Sequence, residues 1–298
     1  MPKSKMTKKQ ARLGYLFLLP SLAVIVALMV YPLSYGIRTS FFEKSLIGPE
    51  RYVGFGNFKS LLDDPIFWDT LVNTIIWTFT AVAGGLLIGL ALASLLNVSI
   101  RFRGRLISRV LLIIPWAFPN VAAVIIWRWM FREPFGYLNA LFKLIGLMNQ
   151  PVNWLGSNQY ALLAAIIVAI WKSFPFDMLV LYAAMQAIPT ELYEGAQIDG
   201  ANVWQRFRSI TLPLLLPSIL IITLLQTIWT FNNFDIVFVL TRGGPLHASE
   251  ILPTYIYKSA FETYQAGYGS AIATVMFLIL VFIAVLYVNV YKKIGETS

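Results

Sequence analysis

Residues 187–217 read AIPTELYEGAQIDGANVWQRFRSITLPLLLP, and this stretch decides how the chain is organised. It lies between two apolar runs, residues 161–187 and 215–240, each long enough to cross a bilayer, which takes about 20 residues. The stretch itself is amphipathic and helix-forming. Pro189 and Thr190 open it, and Glu191 and Glu194 occupy its early turns, where acidic groups favour the helix dipole. Gly200 interrupts it, which predicts two short helices meeting at a turn. Pro213 and Pro217 then lead into the next run. An element of this kind lies at a membrane surface. Amphipathicity alone names no partner, and an ordinary interfacial helix fits the pattern as well.

Working outward, four further apolar runs bring the spans to six: 13–36, 70–97, 107–131, 161–187, 215–240 and 268–291. Of the 298 residues, 58% are hydrophobic and 12% charged. About a quarter charged is usual for a soluble domain, so lipid is the solvent this sequence suits. The net charge of +9 does not form a nucleic-acid-reading face. The positive residues sit in short clusters between apolar runs. The chain has no cysteine and one histidine, His247, which excludes disulfides, thiolate chemistry and a histidine metal cluster within it. Lys3, Lys5, Lys8, Lys9 and Arg12 precede the first run. That run exceeds a signal-peptide core of about 7–15 residues and lacks a cleavage site, so it reads as a retained anchor.

Charge sets the expected orientation. The N-terminus is basic, and the loop after the second span carries Arg101, Arg103, Arg105 and Arg109. The tail has Lys292 and Lys293 against Glu296. Residues 37–69 hold Glu43, Glu50, Asp63, Asp64 and Asp69, which outnumber the positive residues there. Both termini are therefore expected in the cytoplasm.

The segment 187–217 resembles the EAA loop of permease subunits of ATP-binding-cassette importers. That signature is Glu-Ala-Ala, three residues, Gly, nine residues, then Ile-x-Leu-Pro. The matching positions here are Glu194, Gly195, Ala196, Gly200, Ile210, Leu212 and Pro213. Gly195 departs from the family's alanine, a change that loosens a helix by up to about 1 kcal/mol. YLFLLPSLAVIVALMVYPLSYGIRTSF (15–41), VGFGNFKSLLDD (53–64), FNNFDIVFVLTRGGP (231–245) and YGSAIATVMFLILVFIAVL (268–286) resemble the sugar-type permeases of the maltose and glycerol-3-phosphate importers.

The resemblance implies an all-α, type I importer fold with six transmembrane helices. A cytoplasmic tail (1–12) would precede a peripheral first helix (13–36) and an extracytoplasmic loop (37–69). A five-helix core (70–291), including the coupling loop 188–214, would follow, then a short cytoplasmic tail (292–298). It implies a prokaryotic cytoplasmic membrane, a second homologous permease in a heterodimer, two ATPase subunits and an extracytoplasmic solute-binding protein. ATP and magnesium would be bound by the ATPase, with no cofactor, metal or catalytic residue in this chain. Coupling to the ATPase would fall on Glu194, Gly195, Ala196, Asp199, Gly200 and Ala201.

Polar residues inside spans are costly and face a cavity or a neighbouring helix. The third span contains IIPWAFPN (113–120), where Pro115 and Pro119 break the backbone ladder and Trp116 and Asn120 share a face. The fourth contains AIWKSFPFD (169–177). There Lys172 and Phe176 share a face with Ser173 beside them, and Lys172 lies roughly 16 Å deep. A lysine at that depth needs an anion, water or a carbonyl. Asp177 lies about 140° around the helix from it. A pair with Asp235 stays open.

In the fifth span, QTIWTFNNFD (226–235), Gln226, Trp229, Thr230 and Asn233 form one stripe, assigned to a cavity. Asn232 and Asp235 face nearly the opposite way, toward helix–helix contact. Asn and Gln equally serve as glue between helices. The resemblance implies that Trp116, Asn120, Lys172, Ser173, Phe176, Gln226, Trp229, Thr230 and Asn233 contact a carbohydrate. Amides and hydroxyls satisfy sugar hydroxyls, and aromatic faces pack on pyranose rings.

Gly84, Gly85 and Gly89 read as close helix packing, residues 241–245 as a turn, and Trp68 and Tyr160 as interfacial anchors. A secondary transporter would need coupling carboxylates deep in the membrane and commonly a repeat; only Asp177 and Asp235 qualify and no repeat is evident. A membrane enzyme lacks a catalytic constellation, and a channel leaves the amphipathic loop unexplained. A permease for a non-sugar solute fits the loop equally well.

Overall fold

The structure, a computed structural model, describes residues 8–45, 48–97, 105–148 and 150–297. The charge clusters at Lys3 and Lys5 and at Arg101 and Arg103 lie outside the described residues. So do the side chains of Lys8, Lys9, Arg12, Arg105, Arg109 and Glu296. The chain divides into two compact units, residues 1–63 with 256–276 and residues 64–255 with 277–298.

In the first unit, a helical run over Tyr15–Thr39 is long and apolar enough to span a membrane. The window that meets that test has no residue buried within the chain. Only lipid or another chain can cover such a surface. After it, Phe42–Glu43 and Arg51–Tyr52 pair antiparallel, and a short helix covers Gly56–Leu62. Glu50 ties this segment together: Arg38 lies at 2.7 Å and Lys44 at 3.3 Å.

The second unit holds three more helices of spanning length, Pro65–Asn97, Ala161–Gln186 and Val203–Phe231. The first two make the most extensive helix–helix contact in the protein. Glycines permit that approach: a Cβ at Gly89 would lie 2.7 Å from the Asp177 Cβ and 2.9 Å from the Met178 nitrogen. One core cluster joins Trp77, Ala81 and Val124 to Ala165, Val168 and Val237. A second joins Ala93, Met178, Leu181, Leu215 and Ile222. The fifth helix of spanning length, Ala266–Lys293, begins in the first unit and ends in the second.

Two expected spans differ. The third is a bent pair, Val110–Ala117 and Asn120–Met130, whose axes meet at 99°. Pro119, at ψ 135°, leaves the helical conformation and starts the second half. Taken together as one span, the bent pair brings the number to six. The fifth span ends at Phe231 rather than 240, and a separate helix covers Asp235–Leu240. Asn233 directs the restart, its Oδ1 accepting from the Ile236 N–H at 3.1 Å. Asn232 does not reach a neighbouring helix: it is exposed and donates back to the Ile228 carbonyl of its own helix.

The connection between the third and fourth spans carries structure that composition did not suggest. Helix Tyr137–Leu144 packs beneath Trp154, and Asn139 bonds both Val152 and the Trp154 indole. Tyr160 packs at a tilt against Trp154, ring centroids 5.7 Å apart, and joins this cluster. Trp68 keeps 46% of its surface exposed.

Candidate functional site

Residues from the third, fourth and fifth spans converge on one cavity of about 120 Å³. Trp116 and Asn120 flank the bend of the third span. Lys172 and Ser173 come from the fourth span, and Gln226, Trp229, Thr230 and Asn233 from the end of the fifth. Phe176 is the one expected residue off the lining. Its ring lies between Trp116 at 6.2 Å and Trp229 at 5.2 Å, where it fixes both indoles. Trp116 and Trp229 each remain 50% exposed, so the aromatic wall faces outward from this chain.

Three hydrogen-bond arrangements hold the cavity wall. Lys172 donates to the Phe118 carbonyl at 2.6 Å and reaches the Trp116 carbonyl at 3.4 Å. Of the partners its depth required, it takes carbonyls, and its ammonium pairs with neither Asp177 nor Asp235. Gln226 donates to the fully buried Asp177 at 2.8 Å. Trp77 donates its indole N–H to the Thr230 carbonyl at 3.0 Å and lines the cavity floor. The sequence reading missed Trp77 because the second span carries no proline or amide cluster near it.

The loop between the fourth and fifth spans forms two helices on either side of Gly200. Thr190–Ile198 is followed by a turn at Asp199 and Gly200, and the second helix, expected to be short, starts at Val203 and runs on without a break into the fifth span to Phe231. Gly200 has φ +79°, a left-handed conformation that disfavours any side chain with a Cβ. Ala201 follows the turn, and its N–H closes it on the Ala196 carbonyl at 2.8 Å. Asn202 and Gln205 form a reciprocal cap that starts the second helix. Tyr193 ties the first helix to Thr211 at the base of the next span, 2.9 Å away.

The outer face of this loop is uncovered. Glu194, Gly195 and Asp199 are exposed. Ile198 is 87% exposed and Trp204 66%. These large apolar side chains are uncovered although the loop has its own internal caps.

Residues 85–295 match the family described as the binding-protein-dependent transport system inner membrane component. The chain belongs to this family. It is 37% identical over 291 residues to the trehalose/maltose transport system permease protein MalF of Thermococcus litoralis, covering 96% of each chain. It is 36% identical over 282 residues to the sulfoquinovosyl glycerol transport system permease protein SmoG of Agrobacterium fabrum, covering 94% of this chain and 90% of that one. The permease also superposes on a chain of a bacterial transporter that imports the acidic polysaccharide alginate. The TM-score is 0.83, with 23% identity and 96% of each chain covered. The fold is that of a type I importer permease, and the protein is a multi-pass membrane protein.

Proposed function

We propose that this permease forms half of the pathway by which an ATP-driven importer moves a carbohydrate across a prokaryotic cytoplasmic membrane. The observation that carries the reading is the convergence of three amides, two hydroxyls and two indoles from three spans on one cavity. Such a set binds neutral polyol surfaces: amides give and accept hydrogen bonds, and rings cover the apolar faces of pyranoses. Relatives named for the transport of trehalose/maltose, sulfoquinovosyl glycerol and diacetylchitobiose support the sugar class.

A volume of about 120 Å³ is well below the roughly 300–1,000 Å³ of pockets that enclose a ligand. The outward-facing indoles therefore call for a second permease to complete the site. A separate pair of ATPase subunits hydrolyses ATP and docks on the loop around Glu194 and Gly200. An extracytoplasmic binding protein delivers the solute, as the crystallised alginate importer has a periplasmic protein bound. Both termini lie in the cytoplasm, on the side of that loop.

Asn120 gives the cleanest test, because it lines the cavity and is exposed on this chain. Asn120→Leu is expected to abolish sugar uptake by the assembled importer while the permease still copurifies with its partners. Undiminished uptake by that variant would move the pathway elsewhere.

A further inference from the structure

The bend in the third span needs something to hold it. Pro119 has no N–H and, at ψ 135°, takes the chain out of the first half-helix. The ladder resumes only when the Ala123 N–H reaches the Pro119 carbonyl at 3.0 Å. The last carbonyls of Arg105–Ala117 thus lose the donors that a continuous helix would have supplied. They also form the negative end of that half-helix, in a membrane where water is scarce.

Lys172 answers this from the neighbouring span. Its ammonium donates to the Phe118 carbonyl at 2.6 Å, as short as a strong charge-assisted bond, and leans on Trp116 at 3.4 Å. Among the described residues, no carboxylate lies within 4.0 Å of it. Asp177 on the same helix is engaged by Gln226. The negative helix end is therefore the counter-charge of this lysine. The two carbonyls flank the bend that sets Trp116 and Asn120 on the cavity wall.

We infer that Lys172 is a positioning residue. It staples the third span at its bend and thereby places Trp116 and Asn120, and its charge is not reserved for an anionic group on the solute. The inference rests on the cavity reading for its functional meaning, while the staple itself is independent of it.

The test uses the complete importer in lipid and needs no solute. The chain has no cysteine, so Leu111→Cys and Ile125→Cys, both exposed and one on each side of the bend, are its sole sites for spin labels, in an importer whose other subunits are made cysteine-free. Dipolar spectroscopy then reads the angle as a distance. Lys172→Met is expected to shift and broaden that distance, and Lys172→Arg to restore it. In a second measurement, Asn120→Cys is labelled with N-ethylmaleimide. Its rate is expected to change with Lys172→Met and to return with Lys172→Arg. Should Lys172→Met fail to assemble, Lys172→Gln carries the comparison. An unchanged distance and labelling rate in the uncharged variant would overturn the inference. Neither readout depends on uptake, so a failure of the cavity reading would be seen separately.

Discussion

Gln226 donates its side-chain N–H to Asp177 across 2.8 Å, joining the fifth span to a carboxyl with no exposed surface in the fourth. The same amide lines the cavity. One of its two amide N–H groups is thus committed to the protein, and the other N–H and the oxygen remain to meet a solute. The carboxyl is boxed in from the other side by Gly85 and Gly89 of the second span.

This pairing makes the two partners unequal under mutation. Gln226→Leu strands a buried carboxyl and is expected to cost about 1–3 kcal/mol or more of stability. Asp177→Asn still offers an oxygen to Gln226 and is expected to cost much less. Thermal unfolding of the purified permease complex in detergent separates the two. Equal losses would show that the hydrogen bond is incidental.

Close approach of the second and fourth spans depends on absent side chains. A Cβ at Gly89 would press on backbone, at the Met178 nitrogen, which cannot rotate away. Gly89→Leu is therefore expected to separate these helices and remove most of the folded protein from the membrane fraction. Gly36, with nothing near its Cβ position, is the control: Gly36→Ala is expected to accumulate normally.

Variants in the loop around Gly200 test the proposed coupling apart from the transport chemistry. Glu194→Lys reverses an exposed charge, and Gly200→Val forces a branched side chain into φ +79°. Space is not the obstacle at Gly200, since nothing lies within 4 Å of its Cβ position. The strain is in the backbone. Both variants are expected to insert normally yet lose substrate-stimulated ATP hydrolysis by the associated ATPase. Retained stimulation in both would remove the docking role from this loop.

The segment after the first span should respond to acid. Burial opposes ionisation of Glu50, but Lys44 and Arg38 outweigh it and hold its carboxyl below the ordinary value of 4.5. Hydrogen bonds to Tyr35 first and Glu50 second hold Lys44 above its ordinary 10.5. A depressed carboxylate stabilises the fold above its unfolded value, and that contribution is lost as pH falls through the folded one. Local opening near Glu50 is therefore expected to rise below about pH 4.5. In Glu50→Gln the acid response should disappear. Hydrogen exchange over residues 38–52 across pH 3–6 checks it.

Legibility in the sequence followed the physics of each element. Lipid allows few backbone solutions, so long apolar runs located the spans within about five residues, except the fifth, which runs Val203–Phe231 and not 215–240. Helical periodicity put Gln226, Trp229 and Thr230 on one stripe, and all three line the same cavity. Beyond Phe231 the helix stops, so Asn232 and Asp235 were placed by a ladder that no longer exists. Pro115 and Pro119 announced a disturbance in the third span, but its angle depends on the reach of Lys172 from another helix. Phe176 shares a face with Lys172 yet packs between indoles instead of lining the cavity. The Asn139–Trp154 knot and the Trp77–Thr230 bond join residues 15 and 153 positions apart, beyond any local pattern.

The central claim is that this permease passes a carbohydrate only when an attached ATPase turns over. The direct measurement is accumulation of labelled sugar in liposomes containing this chain, its partner permease and the ATPase, with the binding protein supplied at the face opposite the Gly200 loop. Accumulation is expected with ATP and magnesium, and none with a non-hydrolysable ATP analogue. Accumulation that persists without hydrolysis, driven by an ion gradient alone, would contradict the account.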